Sequence, residues 1–344
     1  MARLDPDAGV MMQAVRFEQG RLLLVIHHLA VDGVSWRILL PDLAAATGSG
    51  VLPPGGTSFR WWALRQAEEA ARPEWLAELP WWQAALDGQE RGDEPASGGP
   101  ASSVTVSLPP GETMPLLTTV PAAYRASISD VLLTALAVAL AGWKGPGVLI
   151  DLEGHGRDED LTGGADLSRT VGWFTTRYPV RLDPGPFDPA DPGRTLKRIK
   201  EQLRAVPREG IGYGMLRYLR QDTAGALAGR EPEIEFNYLG RFGARQGTDW
   251  DLAPEDVPGP GTPPARLLGV NAMTEDRADG PRLVATWSWF TGSLGDDEVE
   301  TLAERWIGAL RVLGAARSGG LTPSDLLVPL PQDEIDEIEA EWQS

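Results

Sequence analysis

Residues 22–36 read LLLVIHHLAVDGVSW, the stretch of the sequence that is most informative about the fold. A short apolar run leads into His27 and His28, a turn with Asp32 and Gly33 follows, and an amphipathic segment then begins. The pattern predicts a buried strand that carries both histidines at its end, followed by a helix. Because neighbouring residues on a strand point to opposite faces, we expect only one histidine to face a cavity. A histidine pair alone is more often packed or hydrogen bonded than functional.

Further motifs follow along the chain. They are EGHGR at 153–157, RTVGWFT at 169–175, GIGYG at 210–214 and FNYLG at 236–240. Together with HHLAVDG at 27–33 and its continuation VSWRIL, they resemble, in the same order, the motifs of epimerization domains of nonribosomal peptide synthetases. These domains are a branch of the condensation-domain superfamily, and their fold is related to that of chloramphenicol acetyltransferase. The resemblance covers essentially the whole chain.

The resemblance implies an α/β fold of two chloramphenicol-acetyltransferase-like lobes in a V shape, with the active site in a tunnel between them. It begins inside the first lobe, so we expect that lobe to be incomplete. The predicted divisions are 1–108, a remnant of the N-terminal lobe with the HHxxxDG motif; 109–330, the C-terminal lobe with the other four motifs; and 331–344, an acidic helix or linker. That last segment is either a docking segment or a helix folded back on the second lobe.

Periodicity and breaker residues predict the secondary structure. The predicted helices are 36–47, 58–86 with breaks at Pro73 and Pro80, 112–125, 128–143, 192–206, 295–313 and 332–342. The predicted strands are 11–17, 21–26, 103–108, 148–152, 177–182, 233–238, 268–274 and 283–290.

Epimerization domains invert the α-carbon of an aminoacyl or peptidyl thioester from L to D. The resemblance implies a substrate carried on the 4'-phosphopantetheine of a peptidyl carrier protein domain, beside adjacent synthetase modules, with no cofactor or metal of the domain's own. Inversion needs a base on one face of the α-carbon, an acid on the other, and donors for the developing enolate oxygen. We assign the two proton-transfer groups to His28, since imidazole ionises near neutral pH, and to Glu153.

The environment of Glu153 bears on this assignment. At the end of an apolar strand the carboxyl group is partly desolvated, which raises its pKa; a salt bridge with Arg157 or Arg169 is the structural alternative. Asn237 and Tyr238 match family residues near the reacting centre and are candidate donors to the enolate oxygen. For Tyr238, ordinary strand packing is an equally good explanation.

Five residues are predicted to act structurally. His27 packs, and His155 orients its neighbours. Asp32 caps backbone donors or pairs with an arginine. Gly33 provides a positive φ or a close backbone approach. Arg169 pairs with a carboxylate or helps to bind the phosphopantetheine phosphate.

Composition narrows the classes of function. Among 344 residues, 49 Asp and Glu outnumber 31 Lys and Arg, for a net charge of −18, which argues against nucleic acids and anionic membrane surfaces as partners. The absence of cysteine excludes disulfides and thiolate chemistry. No apolar run has the length of a membrane span and no signal-peptide pattern opens the sequence, so we expect a cytoplasmic protein.

Two alternatives remain open. A condensation domain would use the same His28 to assist amine attack on a second thioester, although that branch does not typically carry Glu153 or Asn237–Tyr238. An inactive truncated remnant would act only as an interaction module.

Overall fold

The structure is a computed structural model, and it describes residues 3–18, 20–48, 50–88, 100–145, 147–159, 161, 163–229, 231–243, 264–316, 318–328 and 330–343. Eight strands are present in these ranges. The strands are β1 Met12–Arg16, β2 Leu22–Ile26, β3 Ala101–Leu108, β4 Val148–Gly154, β5 Thr176–Leu182, β6 Ile234–Gly243, β7 Leu268–Arg277 and β8 Gly280–Phe290. β1 and β2 form an antiparallel hairpin, and the other six form one mixed sheet in the order β3-β8-β7-β6-β4-β5. The architecture is therefore mixed α/β, as the sequence predicts.

The helices follow the predicted positions with shifted ends. They are α1 Gly33–Gly48, α2 Phe59–Ala70, α3 Leu79–Ala85, α4 Pro110–Leu117, α5 Thr119–Tyr124, α6 Ile128–Lys144, α7 Pro192–Arg204, α8 Ile211–Gly214, α9 Gln221–Leu227, α10 Asp296–Gly314 and α11 Gln332–Gln343. No single helix of the described ranges is long and apolar enough to cross a membrane; the bent pair Pro110–Tyr124 and Ile128–Lys144 meets the length and composition requirement only when taken together.

The predicted helix 58–86 is interrupted near both of its prolines. A 3₁₀ segment, Pro73–Glu78, follows α2, so Pro73 marks a real change of conformation. Pro80 lies in the first turn of α3, which begins at Leu79, directly after the 3₁₀ segment ends. Its missing N–H has no partner to lose there, which is why a first-turn proline is tolerated. Both predicted breaks therefore coincide with the start of a new helical segment.

Strand β3 belongs to the six-stranded sheet. It pairs antiparallel with β8 from Ala101 opposite Phe290 to Leu108 opposite Leu283. The sheet therefore starts before residue 109, where the sequence places the beginning of the second lobe. The division of the chain into lobes at 108/109 remains a prediction.

Helices α6 and α10 build the core against the sheet. The Oγ of Ser127 accepts from the backbone N–H of Asp130 at 3.1 Å, and the Asp130 carboxylate accepts from the backbone N–H of Ser127 at 2.6 Å, so a capping box fixes the start of α6. Trp306 on α10 is fully buried and donates through Nε1 to the carbonyl of Leu132 at 3.1 Å. The strands next to α6 are held in place by this packing, and their ends carry the motif residues.

Helix α11 folds back onto α7. Lys197 on α7 places Nζ 2.7 Å from Asp336 and 3.1 Å from Glu339, and Ile335 is buried. Ile338 on the predicted apolar stripe is 38% exposed, and the side chain of Trp342 lies outside the described residues. Of the two interpretations of this segment, the structure shows the folded-back helix.

Candidate functional site

The two histidines lie in a tight turn and not on a strand. β2 ends at Ile26, and a 3₁₀ helix spans His28–Ala30. His27 caps this helix, and its Nδ1 accepts from the backbone N–H of Leu29 at 3.2 Å. The expectation that strand alternation separates the two side chains is therefore wrong. The His28 ring lies 4.9 Å from the Trp173 ring, at an interplanar angle of 47°.

Asp32 is buried and joins the histidine turn to the loop that follows β4. Its Oδ1 accepts from the backbone N–H of Ser35 at 2.7 Å and from Nη2 of Arg157 at 3.1 Å, and its Oδ2 accepts from the backbone N–H of Phe174 at 3.2 Å. The aspartate therefore both caps a helix start and pairs with an arginine. It connects three segments that are distant in the sequence.

Arg157 is the cation at the centre of this junction, with a side chain only 8% exposed. Its Nη1 donates to the carbonyls of Leu167 at 3.1 Å and Thr170 at 2.6 Å, and its guanidinium carbon lies 4.0 Å from the centroid of the Phe174 ring. The arginine of the EGHGR motif thus stabilises the loop through backbone carbonyls and forms an ion pair with Asp32.

Gly33 does not have the geometry that the sequence predicts. Its φ is not positive, and a Cβ placed on it would meet no atom within 4 Å. The turn is made by the 3₁₀ helix and by Asp32, so this position needs no special backbone conformation. Gly156 is the position in this region that requires glycine. Its φ is +63°, and a Cβ there would lie 1.7 Å from the carbonyl oxygen of Phe174.

Gly156→Ala should therefore destabilise the fold more than an ordinary glycine substitution in the same loop. Gly163 is the matched control, since its φ is +73° but a Cβ there would meet nothing within 4 Å. Gly163→Ala should cost about 1–2 kcal/mol of unfolding free energy from the left-handed backbone alone. Gly156→Ala should cost about 1–3 kcal/mol more because of overpacking. Urea denaturation measures both, and equal losses would contradict the predicted contact.

Glu153 occupies the end of β4, where Arg177 of β5 lies opposite it. The Nδ2 of Asn237 donates to its Oε2 at 2.7 Å, and Nε of Arg177 lies 4.0 Å from its Oε1. Burial raises the pKa of the Glu153 carboxyl group, while the nearby positive charges of Arg177 and His28 lower it in part. The chain separates Glu153 from His28 by 125 positions, and no hydrogen bond or ion pair joins the two in the described contacts.

Neither arginine proposed from the sequence pairs with Glu153. Arg157 pairs with Asp32, and Nη2 of Arg169 donates to Asp42 at 2.7 and 2.8 Å. Those partners hold both guanidinium groups on the α1 side of the loop. Sequence reasoning missed Arg177, since only the antiparallel register of β4 and β5 places it beside Glu153.

His155 does not share a strand face with Glu153, because β4 ends at Gly154. Its Nδ1 accepts from the backbone N–H of Arg157 at 3.0 Å, and its side chain is 60% exposed. The ring caps the loop backbone locally. This contact agrees with a local orienting role and does not bring His155 to the carboxyl group.

Asn237 and Tyr238 are neighbours on β6 and point to opposite faces of the sheet. The Asn237 amide is engaged with Glu153. The Tyr238 hydroxyl forms a hydrogen bond of 2.9 Å with the buried Oγ1 of Thr274, and burial raises the pKa of this phenol. The structure therefore brings Asn237 to Glu153, and it gives the Tyr238 hydroxyl a partner on β7.

A cavity of about 1050 Å³ opens beside these residues. Its lining combines apolar side chains, such as Leu133, Leu152 and Phe236, with Tyr238 and with many ionisable groups, among them Glu153, Asp130, Arg204, Arg208 and Glu209. His28 is exposed and is not among the lining residues. Asp130 and Arg204 pair with each other at 3.1 Å. In the described ranges, no group of three or more His, Asp or Glu side chains could hold a metal ion. A cavity of this volume is large enough for an organic ligand.

Solved structures define the class of fold. The epimerization domain from the third module of tyrocidine synthetase B is 32% identical, with a TM-score of 0.76 over 89% of this chain and 72% of that one. The condensation domain from a Monacolin K polyketide synthase is 15% identical with a TM-score of 0.68, covers 91% of this chain and 74% of that one, and supports the fold alone. The chain thus has the fold of condensation and epimerization domains.

Sequence comparison defines the family. The condensation domain family model matches residues 3–257. Chondramide synthase of Chondromyces crocatus is 39% identical over 93% of this chain and 9% of its own length, and tyrocidine synthase 1 of Brevibacillus parabrevis is 34% identical over 92% and 32%. The chain belongs to the condensation domain family of nonribosomal peptide synthetases. It spans less than a third of the length of either relative.

Proposed function

We propose that this chain epimerizes the α-carbon of an aminoacyl or peptidyl thioester held by a carrier protein, from L to D, by transfer of protons between two groups and the substrate. The observation that carries the proposal is Glu153, a partly buried carboxyl group at the edge of a cavity, whose Oε2 accepts from the Asn237 amide and whose pKa is raised by burial. In the proposal this carboxyl group and the imidazole of His28 supply the two groups that inversion needs.

In the proposed reaction one group removes the α-hydrogen as a proton, and the thioester becomes a planar enolate. The other group then delivers a proton to the opposite face. Burial raises the pKa of Glu153, so its protonated form persists to higher pH than that of an exposed glutamate and is available as the acid. The same carboxyl group, once ionised, serves as the base in the reverse direction.

The substrate would reach the site on the 4'-phosphopantetheine of a peptidyl carrier protein domain, with adjacent synthetase modules as further partners. The cavity lined by Glu153 has a volume of about 1050 Å³ and accommodates the acyl part of such a thioester. No cofactor of the protein's own enters the proposed chemistry. We place the protein in the cytoplasm, where these thioesters would be made, and expect neither nucleic acid nor membrane as a partner.

The remaining site residues are proposed to support this pair. Asp32 and His27 hold the turn that presents His28, and Arg169 fixes the α1 side of the loop through Asp42. His155 and Gly33 are proposed as local structural residues. Tyr238 forms part of the wall of the cavity, and its proposed catalytic contribution requires that its hydroxyl leave Thr274.

The experiment follows the α-hydrogen of carrier-bound thioesters in deuterated water. An epimerase exchanges this hydrogen from both L and D substrates and interconverts them. Condensation, which the family match itself favours as the second candidate, requires a second thioester and produces a peptide bond without exchange. An inactive interaction module does neither, and that result would contradict the proposal.

Asn237→Ala should lower the exchange rate by about 10–100-fold. Loss of a hydrogen bond to a charged group is worth about 1.5–3 kcal/mol, and Glu153 would lose the donor that fixes Oε2. Asn271→Ala is the control, because Asn271 lies directly opposite Asn237 on β7 and has no hydrogen bond to Glu153 in the described contacts. Equal rates for the two variants would argue against a role for the amide.

A further inference from the structure

Three carboxyl groups lie on one face of the central sheet beside the site. Asp151 and Glu153 are two residues apart on β4, so their side chains point to the same face. Glu235 of β6 lies opposite Asp151 in the parallel register. Three negative charges so close together beside the proposed proton-transfer site need positive charges nearby, and two arginines supply them.

Arg177 lies within ion-pair distance of all three carboxyl groups. Its Nη2 donates to Asp151 at 2.8 Å and to Glu235 at 2.9 Å, while its Nε lies 4.0 Å from Oε1 of Glu153. The two shorter contacts fix the plane of the guanidinium group and direct its Nε edge towards Glu153. The third contact is looser, so the carboxyl group of Glu153 stays free to exchange a proton.

The partners of Arg177 are themselves anchored. Asp151 is only 3% exposed and also accepts from Nε and Nη2 of Arg266 at 3.1 and 2.9 Å. Glu235 accepts through its other oxygen from the backbone N–H of Ala265 at 2.9 Å. The guanidinium of Arg177 is thus clamped from β4 and β6 while it reaches Glu153 from β5.

We propose that Arg177 is a positioning residue for Glu153, held in place by Asp151 and Glu235 so that it orients the Glu153 carboxyl group and balances its charge. The inference rests on the proposed function, in which Glu153 exchanges a proton with substrate. It adds a role to an arginine that lies outside all five sequence motifs.

The charges around Glu153 predict opposite responses from two neutral substitutions. After burial, which raises the pKa of Glu153, Arg177 is the largest influence and lowers it; Glu235 raises it, His28 lowers it and Asp151 raises it. Arg177→Gln should therefore raise the pKa of Glu153, because a neighbouring opposite charge that favours the ionised form is removed. Glu235→Gln should lower that pKa. A change that only loosened the fold would not give opposite signs.

The test is a direct titration of Glu153 in the intact chain by ¹³C NMR with labelled glutamate, the Glu153 resonance being assigned by its loss in Glu153→Gln. The variants are Arg177→Gln, Arg177→Lys and Glu235→Gln. Arg181→Gln is the control, since Arg181 lies on the same strand but donates to the backbone carbonyls of Ala85, Gly147 and Asp87. Thermal melts confirm that each variant is folded.

We expect an upward shift for Arg177→Gln, partial restoration by Arg177→Lys, a downward shift for Glu235→Gln and none for Arg181→Gln. The Glu153-dependent limb of the pH profile of α-hydrogen exchange should move in the same directions. Shifts of equal sign, or no shift with Arg177→Gln, would overturn the inference. A chain whose Glu153 titration shifts as expected but that exchanges no substrate would contradict the proposed function and leave the coupling of Arg177 to Glu153 established.

Discussion

Replacing Glu153 by glutamine should slow α-hydrogen exchange of a carrier-bound thioester by about 10²–10⁴-fold, the contribution typical of a positioned acid or base. Glutamine preserves the size of the side chain and can still meet the Asn237 amide, which donates at 2.7 Å in the parent. It cannot accept or release a proton at neutral pH. The substitution therefore removes the chemistry with little change in packing.

The measurement is deuterium incorporation from L and D thioesters, followed separately. If Glu153 and His28 serve opposite faces, Glu153→Gln and His28→Ala should differ in which enantiomer retains residual exchange. Glu233→Gln provides the control, since Glu233 pairs with Lys144 at the surface. Exchange of both enantiomers at the parent rate in Glu153→Gln would exclude the two-group assignment.

Asp32→Ala should lower the free energy of unfolding by about 3–5 kcal/mol, because it leaves the buried guanidinium of Arg157 without its carboxylate. The aspartate is 3% exposed and accepts from Ser35, Arg157 and Phe174. All of these donors would become unsatisfied together. The histidine turn would also lose one of its attachments to the loop after β4, while the hydrogen bonds between Ser35 and Gly172 would remain.

Urea denaturation measures this loss. Asp42→Ala is the matched control: Asp42 also pairs with an arginine, Arg169, but is 24% exposed, and a partly exposed pair contributes about 0–1 kcal/mol. Replacing Arg157 by methionine in the Asp32→Ala background should recover part of the stability, since the unpaired charge is then gone. A loss no larger in Asp32→Ala than in Asp42→Ala would show that the network does not stabilise the fold.

The sequence predicts the elements better than the contacts between them. Apolar runs and capping residues locate β4, α6 and α10 to within a few residues, since these elements depend on local pattern and burial. The turn at His28 escaped prediction because β2 ends at Ile26, one residue before the histidine pair, and an apolar run does not reveal where its own hydrogen bonding stops.

Contacts between residues distant in the sequence depend on how the strands pair, which local sequence patterns do not specify. Glu153 was recognised by its motif, and its pKa is raised by burial as expected. Its cation was not, because Arg177 becomes its neighbour only through the pairing of β4 with β5. The sequence offers Arg157, four positions after Glu153, as a salt-bridge partner for this carboxyl group. Arg157 is instead occupied by Asp32, 125 positions away.

The pairing of β3 with β8 has a practical consequence for any attempt to isolate the second half of the chain. A fragment cut at the predicted boundary, after Leu108, would lack a strand that covers β8 along eight residues, from Ala101 to Leu108. The bared backbone groups of β8 would then be a template for recruiting a strand from another molecule. A fragment that starts ahead of Ala101 keeps this edge closed, so the place to divide the gene lies before β3.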